Sequence, residues 1–224
     1  MDFTDADRAA IADAIATAET RTSGEIVAIV SERPDRYTAT GLTLAALLAF
    51  SVPLIATLFG YGPDQIASLN DWSSGEAAVD LQRGIEAYAA VQIALFVLAA
   101  LVLTRTRLGR TLTPRVIRRE RVHREARSQF RSRGIGATRG HTGVLIYVSL
   151  PDRIAEVVAD TAIFAKVSPN HWATTVTAVV DGIKAGQPAR GFVDAIGLAG
   201  AVLAEHFPAE ADDIDELPNR LIEI

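Results

Sequence analysis

The sequence predicts an α/β fold in which a small mixed sheet is interrupted by a hairpin of two transmembrane helices. Two long apolar runs, residues 41–61 and 85–103, stand close together in the first half of the chain. Outside them, short β-branched segments alternate with amphipathic helical patterns, which is typical of a mixed α/β domain. The two patterns together predict a soluble domain with a membrane insertion.

The first apolar run carries no charged residue from Gly41 to Gly60. About 20 apolar residues span the hydrocarbon core of a bilayer at the rise of an α-helix. Pro53 breaks a helix interior in water, whereas neighbouring helices in a membrane satisfy the freed carbonyl. We therefore predict a first transmembrane helix over residues 38–61.

The second apolar run lies between Glu86 and Arg105, and Gln92 is its only strongly polar interior residue. Helices on the surface of a soluble core show one polar face, and neither run has one. We predict a second transmembrane helix over residues 85–104 and an extracytoplasmic connector over residues 62–84. The alternative is a pair of helices buried in a large soluble core. Small residues that let helices approach closely recur at Ala45, Ala49, Ala90 and Ala94.

A dense run of arginines follows the second apolar run. From Arg105 to Arg133, eleven arginines stand against Glu120 and Glu125, a net charge of +9 in a chain whose total is −5, so that the rest carries −14. Positive loops stay in the cytoplasm. We therefore expect both termini to be cytoplasmic. The preference for arginine over lysine and the abundant alanine suggest a GC-rich bacterial genome, and hence a bacterial inner (plasma) membrane.

We predict an arginine-rich juxtamembrane helix over residues 105–133. Beside a membrane span, such arginines contact anionic lipid headgroups. Nucleic-acid binding is the other interpretation of an arginine-rich run, and adjacency to the span favours lipid. The ragged apolar side of the helix is expected to lie on the bilayer or on the soluble domain. The arginines expected at the headgroups are Arg105, Arg107, Arg110, Arg115, Arg118 and Arg119.

The segment before the insertion, residues 1–32, contains one helix and one strand. Thr4 and Asp7 form a capping-box pattern at the start of a helix predicted to end near Thr20. The β-branched stretch Gly24–Ser31 then predicts a buried strand. One helix and one strand cannot bury a core, so this segment needs a second part.

The segment after the insertion, residues 134–207, supplies that part. Two apolar stretches, Thr142–Leu150 and Ile154–Ala159, predict strands that pair as a hairpin. Helices are predicted to begin at Pro169 and at Pro188. Joined to residues 1–32, this segment makes a mixed α/β domain of ordinary size. The acidic C-terminal tail, residues 208–224, is predicted to be partly ordered.

Three acidic residues, Glu25, Asp152 and Asp160, lie at the ends of predicted strands. Hard cations such as Ca²⁺ and Mg²⁺ bind several oxygen ligands. If these strand ends converge, the three carboxylates form a metal site. The alternative is structural: Asp152 forms a turn, Asp160 caps a helix and Glu25 is a charge at a strand edge.

Other catalytic patterns are missing from the sequence. The chain has no cysteine, so disulfides and thiolate metal sites are excluded. The four histidines have no metal-binding spacing, and no GxSxG, P-loop or GxGxxG motif is present. Trp172 is interpreted as a core anchor, with the lining of a pocket as the alternative.

Six segments, taken in order, resemble those of the TPM-domain family, in the bacterial branch with a membrane hairpin inserted after the first strand. They are TSGEIVAIV (22–30), TGVLIYVSLPDR (142–153), EVVAD (156–160), KVSPNHW (166–172), AEHFP (204–208) and ELPNRLIEI (216–224). The resemblance implies an α/β sandwich with helices covering a mixed sheet. Some members are called phosphatases, and some bind divalent metal at acidic loops. Relatives include a thylakoid-lumen protein linked to photosystem II repair and an animal receptor modulator.

Two function classes follow from these observations. We expect a membrane-anchored module for interaction with, or assembly and maintenance of, other membrane proteins. The alternative is a phosphatase-like hydrolase at the membrane face that depends on Ca²⁺ or Mg²⁺. The expected partners are the lipid bilayer, anionic headgroups and other membrane proteins, and not nucleic acid.

Overall fold

The computed structural model describes residues 3–32, 37–62, 77–106, 108–210 and 214–224. The chain divides into two compact units. One consists of Met1–Pro34 with Arg115–Ile224, and the other is Asp35–Pro114. The α/β domain therefore begins again at Arg115, and residues 115–133 belong to it, which corrects the predicted restart at residue 134.

The elements follow one another as a helix and strand, an apolar helix pair, and then the remainder of the α/β domain. In chain order they are α1 (Asp5–Glu19), β1 (Glu25–Ser31), α2 (Thr38–Leu58), α3 (Ala77–Arg105), α4 (Leu108–Leu112), α5 (Arg115–Ser132), a 3-10 turn (Ile135–Ala137), β2 (Gly143–Ser149), β3 (Ile154–Ala159), α6 (Thr161–Lys166), α7 (Pro169–Lys184), α8 (Pro188–His206) and β4 (Leu221–Glu223).

The four strands form one mixed sheet in the order β3-β2-β1-β4. Strand β1 pairs in parallel with both β2 and β4, and β2 pairs antiparallel with β3. Parallel neighbours need a crossover connection, because a tight turn joins only antiparallel strands. The crossover from β1 to β2 contains the whole second unit and α5, so the insertion lies inside a single β-α-β connection.

Each face of the sheet buries its own layer of side chains. On one face, Ile26, Ala28 and Val30 of β1 pack with α1, α7 and α8. On the other face, Val27 and Ile29 pack with helix α5. Strands buried on both faces read as continuous apolar runs, which explains the unbroken IVAIV sequence of β1. The predicted mixed α/β class is confirmed.

Local signals in the sequence located several elements correctly. The capping box at α1 is present: Asp7 N donates to Thr4 Oγ1 at 3.2 Å, and Thr4 N donates to Asp7 Oδ2 at 2.9 Å. Strand β3 has the predicted bounds, and its antiparallel pairing with β2 confirms the hairpin.

The C-terminal tail contains a strand that the sequence analysis does not predict. Residues Leu221–Glu223 form β4 at the edge of the sheet and pair in parallel with β1. Ile224 N donates to Val30 O at 3.0 Å, and Glu32 N donates to Ile224 O at 3.1 Å. Strand β4 is only three residues long, so it is stabilised by its pairing with β1.

The second unit consists mainly of two apolar helices. Thr38–Leu58 and Gly84–Arg105 have mean hydropathies of 2.1 and 2.2 and are long enough to cross a membrane. Only 22% of the apolar stretch of the first helix and 6% of that of the second are buried, whereas the core helices of a soluble protein are mostly buried. The buried face of α2 is a stripe of small residues, Gly41, Ala45, Ala49 and Pro53, whereas Ala90 and Ala94 of α3 are exposed. Most of the predicted connector lies outside the described residues.

Helices α7 and α8 cross at two glycines, Gly182 and Gly191. A Cβ added at Gly182 would lie 2.6 Å from Gly191 Cα, so the two backbones must move apart. We predict that Gly182→Ala destabilises the α/β domain by about 1–2 kcal/mol, because overpacking outweighs the gain in helix propensity. Urea unfolding followed by Trp172 fluorescence, with Trp72 replaced by Phe, measures this change.

The matched control is Gly197→Ala in α8, where a Cβ meets no heavy atom within 4 Å. This variant should gain up to about 1 kcal/mol, since only the helix propensity changes. Equal effects at the two glycines would contradict the close helix crossing.

Candidate functional site

The three acidic residues predicted to form a metal site do not come together. Glu25 and Asp160 lie at the same end of the sheet, because Glu25 is paired with Gly143 and Asp160 N donates to Gly143 O. Asp152 follows Ser149, at the other end of β2. Strand β2 has seven residues, so its two ends are about 20 Å apart. The hypothesis that Glu25, Asp152 and Asp160 converge on one metal site is therefore wrong.

Asp160 and Asp152 have structural roles, as a helix cap and as a turn residue. Asp160 is the N-cap of α6, where its Oδ1 accepts from Thr161 N at 2.6 Å. Asp152 lies in the turn between β2 and β3, where its Oδ2 accepts from Ser149 Oγ at 3.3 Å and its Oδ1 is 4.0 Å from Arg118 Nη1. Both residues are buried.

Glu25 belongs to a different acidic cluster, formed with Glu19 and Asp215. One carboxylate oxygen from each of the three residues lies within 4.8 Å of the others. Glu19 ends α1, Glu25 begins β1, and Asp215 stands in the segment before β4. The short connection from α1 to β1 joins the two glutamates, and the pairing of β4 with β1 brings in the C-terminal segment. We call these three residues the acidic cluster.

Each glutamate of the acidic cluster has one oxygen that is satisfied and one that is not. Glu19 Oε1 accepts from Ile26 N at 2.9 Å, and Glu25 Oε1 accepts from Glu216 N at 3.2 Å. The Oε2 atoms of both glutamates are buried and have no hydrogen-bond partner within the described residues. A buried acceptor without a partner is costly, so these two atoms favour a ligand.

Burial and mutual repulsion shift the titration of the cluster. Burial, together with the nearby charges of Glu25 and Asp215, raises the pKa of Glu19 from 4.5 to about 8. Burial also raises the pKa of Glu25, with Asp215 contributing. Like charges that share a site hold protons unless a cation neutralises them.

The residues of the cluster fit a hard divalent cation. Ca²⁺ takes six to eight oxygens from carboxylates, amides and water, and Mg²⁺ binds through one or two carboxylates and keeps several waters. Next to the three carboxylates lies Asn219, whose Nδ2 donates to Asp215 Oδ2 at 2.9 Å. The amide Oδ1 of Asn219 is buried and without a partner among the described residues. An all-oxygen set of this kind favours Ca²⁺ or Mg²⁺ over zinc.

Sequence reasoning missed Glu19, Asp215 and Asn219. No local motif marks Glu19, which ends α1, and the other two lie in a tail that was predicted only to be partly ordered. The available signal was the LIEI ending, which is β-prone and follows Asp215 closely.

A second feature of the domain is an open groove of about 810 Å³ along strand β3. Helix α5 forms one wall, with Arg119, Arg127 and Arg131. Helices α6 and α7 form the other wall, which includes Phe164 and Trp172. Trp172 is both buried and part of the lining, so the two interpretations of this residue are compatible.

The arginines expected at lipid headgroups lie in three helices. Arg105 ends α3, Arg110 lies in α4, and Arg115 is exposed in α5. Arg107 lies outside the described residues. Arg118 faces Asp152 and Arg119 lines the groove, so both belong to the α/β domain.

The fold and site define a class: a mixed α/β domain with an acidic cluster, interrupted by a pair of apolar helices. A solved structure with a similar fold is the NMR structure of the BA42 protein from the psychrophilic bacterium Bizionia argentinensis. The two chains are 24% identical with a TM-score of 0.57, over 100% of this chain and 97% of that one. At this identity the likeness shows the fold alone. No protein-family model and no curated protein matches the chain.

We predict that Ca²⁺ stabilises the full chain in neutral detergent. At a concentration of about 100 times its dissociation constant, the melting temperature should rise by about 5–10 °C. Without cation, stability should fall as the pH rises from about 4.5 to about 8, because the folded state keeps the Glu19 proton that the unfolded state releases. The Ca²⁺ effect should therefore be larger at about pH 8.5 than at about pH 6.

The test variant is Glu25→Gln, which keeps the shape and removes the charge, and it should abolish most of the Ca²⁺ effect. The control is Asp160→Asn, a buried acid outside the cluster, because asparagine is also a good N-cap. The same rise in melting temperature in both variants would remove the acidic cluster as the binding site.

Proposed function

We propose that this protein is a membrane-anchored interaction module. Its α/β domain lies on the cytoplasmic face of a bacterial inner membrane and serves in the assembly or maintenance of other membrane proteins. The observation that carries this proposal is the position of the apolar helix pair, which lies inside the crossover between β1 and β2. Such a position ties the domain to the bilayer by both ends of the insertion.

The exposed apolar surface of the helix pair supports the membrane anchor. Large apolar side chains face outward along both helices, among them Phe50, Leu54, Ile93 and Leu98, each more than 60% exposed. In water, an exposed apolar surface of this kind leads to aggregation, whereas in a bilayer it contacts lipid tails favourably. The arginines after α3 support the placement of both termini in the cytoplasm.

The resemblance to TPM-domain proteins supports a role in assembly or maintenance, because a relative is linked to photosystem repair. The separation of Asp152 from Glu25 and Asp160 also favours interaction over the catalytic site that was expected from the sequence. The groove along β3 offers this domain a surface on which another polypeptide can dock.

A second candidate function is supported by the acidic cluster. Its geometry suits a divalent cation, and such a cation polarises a phosphoryl oxygen or activates a water in phosphatase-like hydrolysis. In that case Glu19, Glu25 and Asp215 hold the metal, and Asn219 orients Asp215 through its hydrogen bond. This candidate and the interaction module are compatible within one domain.

We predict that a fluorescent protein fused after Ile224 fluoresces in the cytoplasm. Alkaline phosphatase at the same position should be inactive, because it folds only in the periplasm, whereas inserted after Gly75 it should be active. These outcomes follow from two spans with the arginines inside. An active phosphatase fusion at Ile224 would overturn the proposed topology.

We also predict that specific membrane proteins copurify with the full chain in mild detergent. The control is a tagged fragment of residues 35–114, which carries the apolar helices without the α/β domain. Partners bound by the domain are absent from this control. If the same proteins copurify with the fragment, the α/β domain is not the interaction module. If no partner is found and Mg²⁺-dependent hydrolysis of p-nitrophenyl phosphate is lost in Glu25→Gln, the second candidate replaces the first.

A further inference from the structure

Strand β3 is an edge of the sheet, and half of its backbone groups point away from its neighbour. In an antiparallel ladder, alternate residues bond to the partner strand. Asp160 N donates a hydrogen bond to Gly143 O. With this register, the backbone groups of Val158 and Glu156 also point toward β2, whereas the backbone N–H and C=O of Val157 point away from it. Val157 is half-buried in the floor of the groove. Within the described chain no other segment hydrogen-bonds to it.

Helix α5 runs beside β3 in the same direction. Arg118 lies near Asp152 before the strand, His123 Nδ1 is 2.7 Å from Glu156 Oε1 at its middle, and Phe130 and Asp160 both lie against Gly136 at its end. The wall formed by α5 therefore follows the strand along its whole length.

The α5 wall is basic. Arg119, His123, Arg127 and Arg131 follow one another at intervals of four residues, so they lie on one face of the helix and extend over about 18 Å. The three arginines are exposed, and none forms an ion pair with an acidic side chain in the described part of the chain. Unpaired arginines along a groove favour an acidic occupant.

The opposite wall is apolar and belongs to the other face of the sheet. Trp172 and Val176 of α7 pack with the layer that contains Val157, whereas α5 packs with the layer that contains Val158. Phe164 of α6 is 53% exposed at the rim. A segment lying between the walls thus meets positive charge on one face of the sheet and apolar surface on the other.

We propose that this groove binds an extended polypeptide segment with alternating acidic and apolar side chains, which adds to β3 as a fifth strand. Successive side chains of a strand point to opposite faces of its sheet, so one set meets the arginines and the other meets Trp172 and Val176. Main-chain pairing at Val157 supplies affinity, and the two walls select the alternating pattern. This inference rests on the proposed interaction module and names the chemistry of its partner.

The experiment uses the full chain in dodecyl maltoside and a fluorescein-labelled peptide that repeats Glu-Val four times. Comparison peptides carry four Glu followed by four Val, or repeat Lys-Val. The alternating acidic peptide should bind at least about tenfold more tightly than either, since only it satisfies both walls. Hydrogen exchange measured by mass spectrometry should slow at the Val157 amide when this peptide binds.

Two pairs of variants locate the binding. Arg127→Glu should weaken binding about fivefold or more, whereas Arg124→Glu, with the same charge change on α5 and outside the groove, should not. Val157→Pro removes the outward N–H and should abolish the exchange protection, because proline is tolerated at this side of an edge strand. Val157→Ala keeps the N–H and should retain protection.

Equal binding of the block peptide, or equal weakening by Arg124→Glu and Arg127→Glu, would overturn the proposal. The proposal also fails if vesicles of anionic phosphatidylglycerol bind in an Arg127-dependent manner while the alternating peptide does not, since the groove then takes lipid. If membrane proteins still copurify with the full chain after such a failure, the interaction module stands and only its partner chemistry is lost.

Discussion

The parallel pairing of β1 with β2 is the constraint on which the rest of the structure depends. Seven residue pairs, from Glu25 and Gly143 to Ser31 and Ser149, join two strands that are separated in the sequence by about half of the chain. The second unit, Asp35–Pro114, lies between these strands in the sequence, so the chain must leave the α/β domain and return to it. An insertion that enters a bilayer must therefore cross it an even number of times, which two apolar helices satisfy.

The pairing of β4 with β1 brings three carboxylates of the acidic cluster close together, where they repel one another. Strand β1 has β2 on one side and β4 on the other, so the C-terminal segment is drawn toward the start of β1. This brings Asp215 to two glutamates that are already partly desolvated. Burial, and to a smaller extent repulsion by Glu25 and Asp215, raises the pKa of Glu19 to about 8. Such an arrangement lowers stability unless a proton or a cation neutralises it, which is typical of functional sites.

The two edges of the sheet have opposite chemistry. At the β4 edge, carboxylates converge near the beginning of β1. At the β3 edge, the arginines of α5 line an open groove, and the paired strand presents a free main chain at Val157. The central strands β1 and β2 are buried on both faces and separate the two features. One small domain thus carries the acidic cluster and the basic groove at opposite edges of its sheet.

Local signals in the sequence were sufficient for most elements, because caps, turns and periodicity act within a few residues. The capping box at Thr4, the turn after Leu150 and the β-branched run of β1 each predicted an element that the structure contains. The short helix α6 and strand β4 were missed. Helix α6 depends on the Asp160 cap for its start, and β4 depends on a partner that lies far away in the sequence.

By itself, the sequence determined the apolar helix pair, the arginine-rich segment beside it and the mixed α/β class, since each follows from composition and local pattern. Only the tertiary structure decided which acidic residues meet. Asp152 and Asp160 were separated from the predicted site and used as turn and cap, and Glu19 and Asp215 took their place beside Glu25. The reason is that strand order and the direction of pairing, which set the distances between carboxylates, are not encoded in any single segment of the chain.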